Sequence, residues 1–303
     1  MSSSSSKKVI IAALVGNGLI AVTKFVASTL TGSSAMLSEA IHSLVDTGNQ
    51  CLLLYGLKRA QRPPDEEFPY GYGKEIYFWS FVVAIAIFSV GAGVSIYEGI
   101  QHIRHPVEMR DPMVNYVVLG LALVFEGAAW WFAWREFKKT KGEMGYIQAV
   151  KEGKDPSMFV VLFEDSAAMA GLLVALVGVY LTASTGNPLY DGIASVVIGT
   201  ILALTAVWLA VETKGLLIGE SAHPEVRAAI NDILAENGAV DKINEVLTMH
   251  MGPEFILVNV SVDFNDRLAA NDIEQTVSYL AEKLKAQNPL IKRVFVEARE
   301  FST

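Results

Sequence analysis

The run from Ile76 to Tyr97 contains no Asp, Glu, Lys or Arg, and the run from Ser166 to Tyr190 is equally bare. Runs of this length cross a hydrocarbon layer about 30 Å thick when they coil into helices. Four further apolar segments bring the expected spans to six: 9–30, 36–57, 76–100, 113–135, 158–182 and 190–212. Composition points the same way. Of 303 residues, 52% are hydrophobic and only 18% charged, against roughly 25% charged in an ordinary soluble domain. The first span begins after Lys7 and Lys8 but lacks a small-residue cleavage pattern, so it reads as a span rather than a signal peptide. The single cysteine, Cys51, excludes an intrachain disulfide and a Cys-rich zinc module. A net charge of −8 argues against a nucleic-acid partner.

The charge pattern changes after residue 212. From Glu220 onward the acidic residues clearly outnumber the basic ones. The expected organisation is a disordered segment over 1–8, a six-helix transmembrane domain over 9–212, a linker over 213–220, and a soluble C-terminal domain over 221–303. Lys/Arg bias gives the orientation. Lys58, Arg59, Arg62, Lys74, Arg135, Lys138, Lys139 and Lys214 fall on one side, and only Arg104 and Arg110 on the other. Both termini are then cytoplasmic, and an inner membrane is the expected location. Trp79, Trp130, Trp131 and Trp134 suit an interfacial belt.

The tail reads as α-β-β-α-β, with helices over His223–Glu236 and Asn271–Ala286 and strands over Lys242–His250, Phe255–Phe264 and Ile291–Ala298. Pro224 suits a first helical turn, Gly252-Pro253 a hairpin, and Asn271 a cap. The expected fold class is an α-helical membrane protein of six transmembrane helices plus a cytoplasmic α+β domain of ferredoxin-like type. An open sheet or helix face in that domain would suit self-association.

The second span carries the chemistry. Glu39, His42, Ser43, Asp46, Asn49 and Gln50 fall within an arc of about 120° at 100° per residue. A charge at mid-bilayer costs roughly 2.5–3.5 kcal/mol on insertion scales, so this stripe must face protein, water or an ion. His42 and Asp46 are four residues apart and can reach one cation from adjacent turns. Zinc accepts imidazole nitrogen and carboxylate oxygen. The fifth span adds Glu164 and Asp165. Adjacent residues diverge by about 100° on a helix, so both cannot face one point equally. Asp165 is the favoured ligand. Glu164 is a second ligand, a proton carrier or a partner to another helix. Asn49, Glu39 and Glu126 are additional metal or proton-pathway residues. The competing reading makes these groups interhelical hydrogen-bonders.

Several residues draw a plain reading. His102 and His105 are placed in a solvated loop, and Asp65-Glu66-Glu67 in another. His223 and His250 lack an obvious metal cluster. Gly16, Gly18, Gly32 and Gly171 are taken as sites of close helix contact. No GxxxxGK[ST] loop is present, so the chain encodes no phosphate-driven motor. Ion movement makes no bonds, and the chain is not read as an enzyme.

The run Gly32-Ser33-Ser34-Ala35-Met36-Leu37-Ser38-Glu39-Ala40-Ile41-His42-Ser43-Leu44-Val45-Asp46 resembles the second-span signature of the cation diffusion facilitator family. Tyr70-Gly71-Tyr72-Gly73-Lys74-Glu75 resembles that family's segment before the third span. Leu162–Ala168 and Gly186–Asp191 extend the resemblance to the branch containing zinc transporter nine and its bacterial relatives. The resemblance implies proton-coupled export of divalent cations, zinc foremost, by a homodimer, with no prosthetic group. It also exposes a departure. Many members of that family place His or Asp four residues before the fifth-span Asp, where this chain has Val161. The ion would then shift toward manganese, iron or cobalt, because oxygen-richer sites suit harder ions. A metal-sensing membrane scaffold without transport is the alternative.

Overall fold

A computed structural model describes residues 3–142 and 145–300. The helices in chain order are α1 (Ser3–Thr31), α2 (Ser34–Ala60), α3 (Glu75–Ala86), α4 (Gly93–Arg104), α5 (Pro112–Lys141), α6 (Tyr146–Glu152), α7 (Pro156–Thr185) and α8 (Leu189–Ile218). A π-helical stretch, Ile87–Ala92, joins α3 to α4, so Glu75–Arg104 is one rod with a widened hydrogen-bond period at its middle. The chain divides into two compact units. One comprises 1–57, 78–151 and 156–213, and the other 58–77, 152–155 and 214–303.

In the first unit, four helices among the described residues are long and apolar enough to cross a membrane: Glu75–Arg104, Pro112–Lys139, Phe159–Thr185 and Leu189–Ile218. α1 and α2 are also long, at 29 and 27 residues. The polar stripe of α2 dilutes its apolar character. Two expected boundaries change. Helix α1 begins at Ser3, where the sequence suggested disorder over 1–8. Helix α8 continues through most of the expected linker over 213–220, ending at Ile218.

Helix α5 packs on α7 and on α1. Helices α4 and α8 cross at small residues. A Cβ on Gly99 would meet Val196 Cγ2 at 2.7 Å and the Gly192 carbonyl at 2.8 Å, and one on Gly199 would meet Ile96 Cγ1 at 2.6 Å. This is the close backbone approach that small residues permit between helices in lipid. Among the glycines singled out from sequence, Gly171 does sit in a tight place, against Glu39. Gly18 faces open space, and Gly32 serves instead as a left-handed turn at φ +73°.

The second unit contains α9 (Pro224–Ala235), β1 (Val240–Gly252), β2 (Phe255–Phe264), α10 (Ala270–Gln287) and β3 (Ile291–Ala298). The sheet order is β1-β2-β3. β1 pairs antiparallel with β2, with Val246 opposite Val260, and β3 pairs parallel with β2, with Val258 opposite Val294. α10 is the crossover that a parallel pair requires. Alternate residues of β2 (Ile256, Val258, Val260, Val262 and Phe264) are buried in a core with Ile230 and Leu234 of α9 and Leu280 and Leu284 of α10. Leu247 and Phe295, from the flanking strands, are half exposed. Helix α10 is capped two residues earlier than expected, at Ala269. Asp272 accepts from the Ala269 N–H at 3.2 Å, and Asn271 lies inside the helix.

The loop segments of this unit explain two of its glycines. Gly71 is left-handed at φ +80°, and a Cβ on Gly73 would strike the Met251 carbonyl. Asp65 lies in the exposed acidic run, as expected, and also closes a turn. It accepts from Phe68 N–H at 2.8 Å and the Tyr72 hydroxyl at 2.6 Å, and these bonds hold its carboxyl below the usual range.

Candidate functional site

Helix α2 is fixed at its start by a residue of α8. Asp191 is buried. Its Oδ1 accepts from the Ser33 hydroxyl at 2.6 Å. Its Oδ2 accepts from Ser34 N–H at 2.5 Å, the Ser34 hydroxyl at 3.0 Å and Ala35 N–H at 3.3 Å. An anion at a helix N-terminus satisfies backbone donors that have no intrahelical partner. His102 Nε2 lies 3.7 Å from the same carboxylate. His102 is therefore a buried residue near the end of α4, and the expectation of a solvated loop histidine is corrected. One turn further along α2, the Ser38 and Ser195 hydroxyls are bonded at 2.6 Å, and Ser195 donates to the Ser95 carbonyl at 2.8 Å.

The polar stripe then meets three other helices. Glu39 is fully buried and ion-paired with Lys24 of α1 at 3.1 Å. Lys24 also pairs with Glu126 of α5 at 2.9 Å and donates to the Ser43 hydroxyl at 2.8 Å. His42 Nδ1 lies 3.4 Å from Asp46 Oδ1 without forming a hydrogen bond, and both imidazole nitrogens are buried and unpartnered. Asn49 donates to Glu164 Oε1 of α7 at 2.6 Å. Asp46, Glu164 and Asp165 line one cavity, and the Glu164 carboxyl is engaged by Asn49.

A cavity of about 280 Å³ opens among these helices. Its wall includes Ser43, Asp46, Gln50, Glu126, Val161, Glu164 and Asp165, while His42 is not on it. Among the described residues, no three His, Cys, Asp or Glu side chains gather closely enough to hold a metal ion. Other partners explain this. Asn49 holds Glu164, and Lys24 holds Glu39 and Glu126. Of the unpartnered buried side-chain atoms, five gather here: His42 Nδ1 and Nε2, Asp46 Oδ1, Glu39 Oε1 and Glu126 Oε2. Buried polar atoms are almost always satisfied, so such a concentration marks a place where an ion or water completes the bonding. Donors of this kind, one imidazole with several carboxylates, fit a divalent cation.

Lys24 is the residue that the sequence analysis leaves out. Its signal is that an intramembrane lysine needs an acidic partner, and Glu39 and Glu126 are candidates.

A profile of the cation efflux transmembrane domain matches residues 10–218. The chain belongs to the cation efflux family. Among its relatives, the frog (Xenopus laevis) protein named proton-coupled zinc antiporter SLC30A9, mitochondrial, is 38% identical over 278 residues, covering 91% of this chain and 49% of that protein. Metal tolerance protein C4 of Arabidopsis thaliana is 31% identical over 269 residues, covering 88% of this chain and 59% of its own. The cation-efflux pump FieF of Citrobacter koseri is 26% identical over 274 residues, covering 88% and 86%. The chain spans about half the length of the SLC30A9 antiporters it matches. The matched cation efflux region contains α2, α5 and α7, so every residue of the candidate site lies inside it.

Proposed function

We propose that this cation efflux protein is a secondary transporter that moves a divalent cation, zinc foremost, out of the cytoplasm in exchange for protons. The carrying observation is the cluster of unpartnered imidazole and carboxylate atoms buried beside a cavity of about 280 Å³ in a charge-poor helical bundle. His42, Asp46 and Asp165 are the proposed metal-binding groups, with Glu164 as the exchangeable fourth. Asn49, Glu39 and Glu126 are the additional pathway groups. On this reading all six long helices span the membrane, both termini are cytoplasmic, and the membrane is an inner membrane. The C-terminal unit is of ferredoxin-like type, and its open sheet face, with Leu247 and Phe295 half exposed, supports a homodimer.

The mechanism is competition at shared atoms. A ligating imidazole must be neutral and ligating carboxylates ionised, so cation entry releases protons. When the bundle opens to the other side, incoming protons take the same atoms and the ion leaves. For the ion to bind, Glu164 must exchange Asn49 for the metal. No bond of a substrate is made or broken, so the function is transport and not enzymatic.

A second choice of metal has its own support. Val161 lies on the cavity wall and brings no ligand. The remaining donor set is rich in oxygen, which favours manganese, iron or cobalt relative to an imidazole-rich site. Proteoliposomes with an imposed pH gradient test both points. The parent should move zinc against the proton flow, and His42→Ala and Asp165→Ala should lose that movement. Undiminished flux in both variants would remove the site assignment. Metal binding without flux in the parent would favour the sensing scaffold.

A further inference from the structure

Lys24 has no exposed surface, and its ammonium has three N–H donors. All three are engaged, by Glu39 Oε2 at 3.1 Å, Ser43 Oγ at 2.8 Å and Glu126 Oε1 at 2.9 Å. Each carboxylate gives one oxygen to the ammonium, and each keeps a second oxygen buried and unpartnered. Glu126 and Ser43 also line the cavity that holds Asp46, Glu164 and Asp165. Glu39 cannot retreat toward α7, because Gly171 is there and its missing side chain leaves only enough room for the Glu39 carboxylate. Two carboxylates and a hydroxyl from two helices, closed around a positive charge, form an oxygen-donor position that suits a hard cation. The occupant is the protein's own side chain.

We infer that Lys24 is a tethered counter-cation. It fills a second cation position, formed by Glu39, Ser43 and Glu126, and so holds the cavity to one divalent ion per chain. The inference deepens the proposed site reading and rests on it for the identity of that first ion. Because the ammonium is attached to α1, it does not travel, and no metal displaces it without breaking two buried ion pairs. Its charge also acts on the cavity next to it. Buried charges are weakly screened, so a cation beside Glu126 is repelled by the ammonium and held less tightly than five carboxylates alone would hold it. Lys24 is thus a specificity-determining residue, setting ion number and easing release.

Counting bound ions tests this. The full chain in lipid nanodiscs would be dialysed to equilibrium against radioactive zinc or manganese. The parent and Lys24→Arg, which keeps the charge, should bind one ion per chain. Lys24→Met should bind two, with the added ion preferring manganese, and Lys24→Met/Glu126→Gln should return to one. His42→Ala separates the two readings. If the His42 site is right, that variant loses the parent's ion, while Lys24→Met/His42→Ala keeps the added one. If only the site reading fails, His42→Ala binds like the parent, and the gain in Lys24→Met still stands. A folded Lys24→Met protein with the parent's ion count and affinity would overturn the inference. Should Lys24→Met not fold, Lys24→Gln, which keeps hydrogen-bonding capacity without the charge, takes its place. It should also bind two ions, and a folded Lys24→Gln protein with the parent's ion count and affinity would overturn the inference equally.

Discussion

Asp191→Ala should cost this protein more stability than any other single polar truncation at the start of α2. The carboxylate accepts four hydrogen bonds, from the Ser33 and Ser34 hydroxyls and from the N–H groups of Ser34 and Ala35, at 2.5 to 3.3 Å. It is about 1% exposed, so water does not replace it freely. A hydrogen bond to a charged group contributes about 1.5–3 kcal/mol, and loss of a helix cap about 0.5–2 kcal/mol. The four bonds share one acceptor group and are not additive. Removal of one partner from a buried charged network costs about 3–5 kcal/mol, which sets the expected size. Asp191→Asn keeps the shape but turns an amide N–H₂ toward existing donors, so it should recover less than half of the loss. The assay is reversible unfolding in mixed micelles, followed by helix content. If Asp191→Ala unfolds within about 0.5 kcal/mol of the parent, the carboxylate does not hold α2 and the argument is wrong.

Three further outcomes are expected. Val161→Asp adds a carboxylate to the cavity wall, and competitive uptake should show a changed zinc-to-manganese preference; an unaltered ratio would mean that position 161 does not meet the ion. Gly99→Val places methyls against Val196 and the Gly192 carbonyl, and should cost about 1–3 kcal/mol by overpacking, read as an earlier unfolding midpoint in the same micelle assay. His250, in the C-terminal unit, is buried, and burial lowers its pKa from 6.5, with Lys154 and His223 acting in the same direction and Glu220 and the Gly252 carbonyl against. Its stabilising contribution is therefore complete above about pH 6.5 and is lost as pH falls through that value toward the lower folded pKa. Amide exchange at the β1 end should quicken between pH 7.5 and 5.5, and less so in His250→Gln.

The sequence revealed the tail almost strand by strand, because period-two alternation in Phe255–Phe264 and amphipathic spacing in α10 report which face is buried. It also revealed the polar face of α2, since an apolar helix has no other reason to align Glu39, His42, Asp46 and Asn49. What it could not supply was partner choice. Glu164 and Asp165 differ by one position, and which of them Asn49 engages depends on the rotation of α7 about its own axis, set by packing on α5. Lys24 and Glu126 are 102 residues apart, and no local pattern joins them. The two segments that carried the family resemblance, Gly32–Asp46 and Gly186–Asp191, touch through Asp191, and each opens with a left-handed glycine that ends the helix before it. His102 read as loop because the expected span ended at residue 100, whereas the helix runs on to Arg104 and buries it.

These contacts divide into those that can persist during transport and those that cannot. Alternating access, on the mechanism proposed here, requires polar bonds between moving helices to exchange while the bundle stays folded. The Asp191 clamp joins α2 to α8 at one end and has no ion to exchange with, so α2 and α8 should move together. The bonds further along α2 run to α1, α5 and α7: Lys24 with Glu39 and Ser43, and Asn49 with Glu164. The Asn49–Glu164 bond is one that an ion or a proton can replace, whereas the Lys24 ammonium stays with its carboxylates. Helix α5 packs on both α7 and α1, which keeps that group together when the polar bonds break. The ion groups therefore lie on the seam between two bodies, α2 with α8 and α1 with α5 and α7. A seam in that position opens the cavity to one side or the other without exposing the apolar cores of either body.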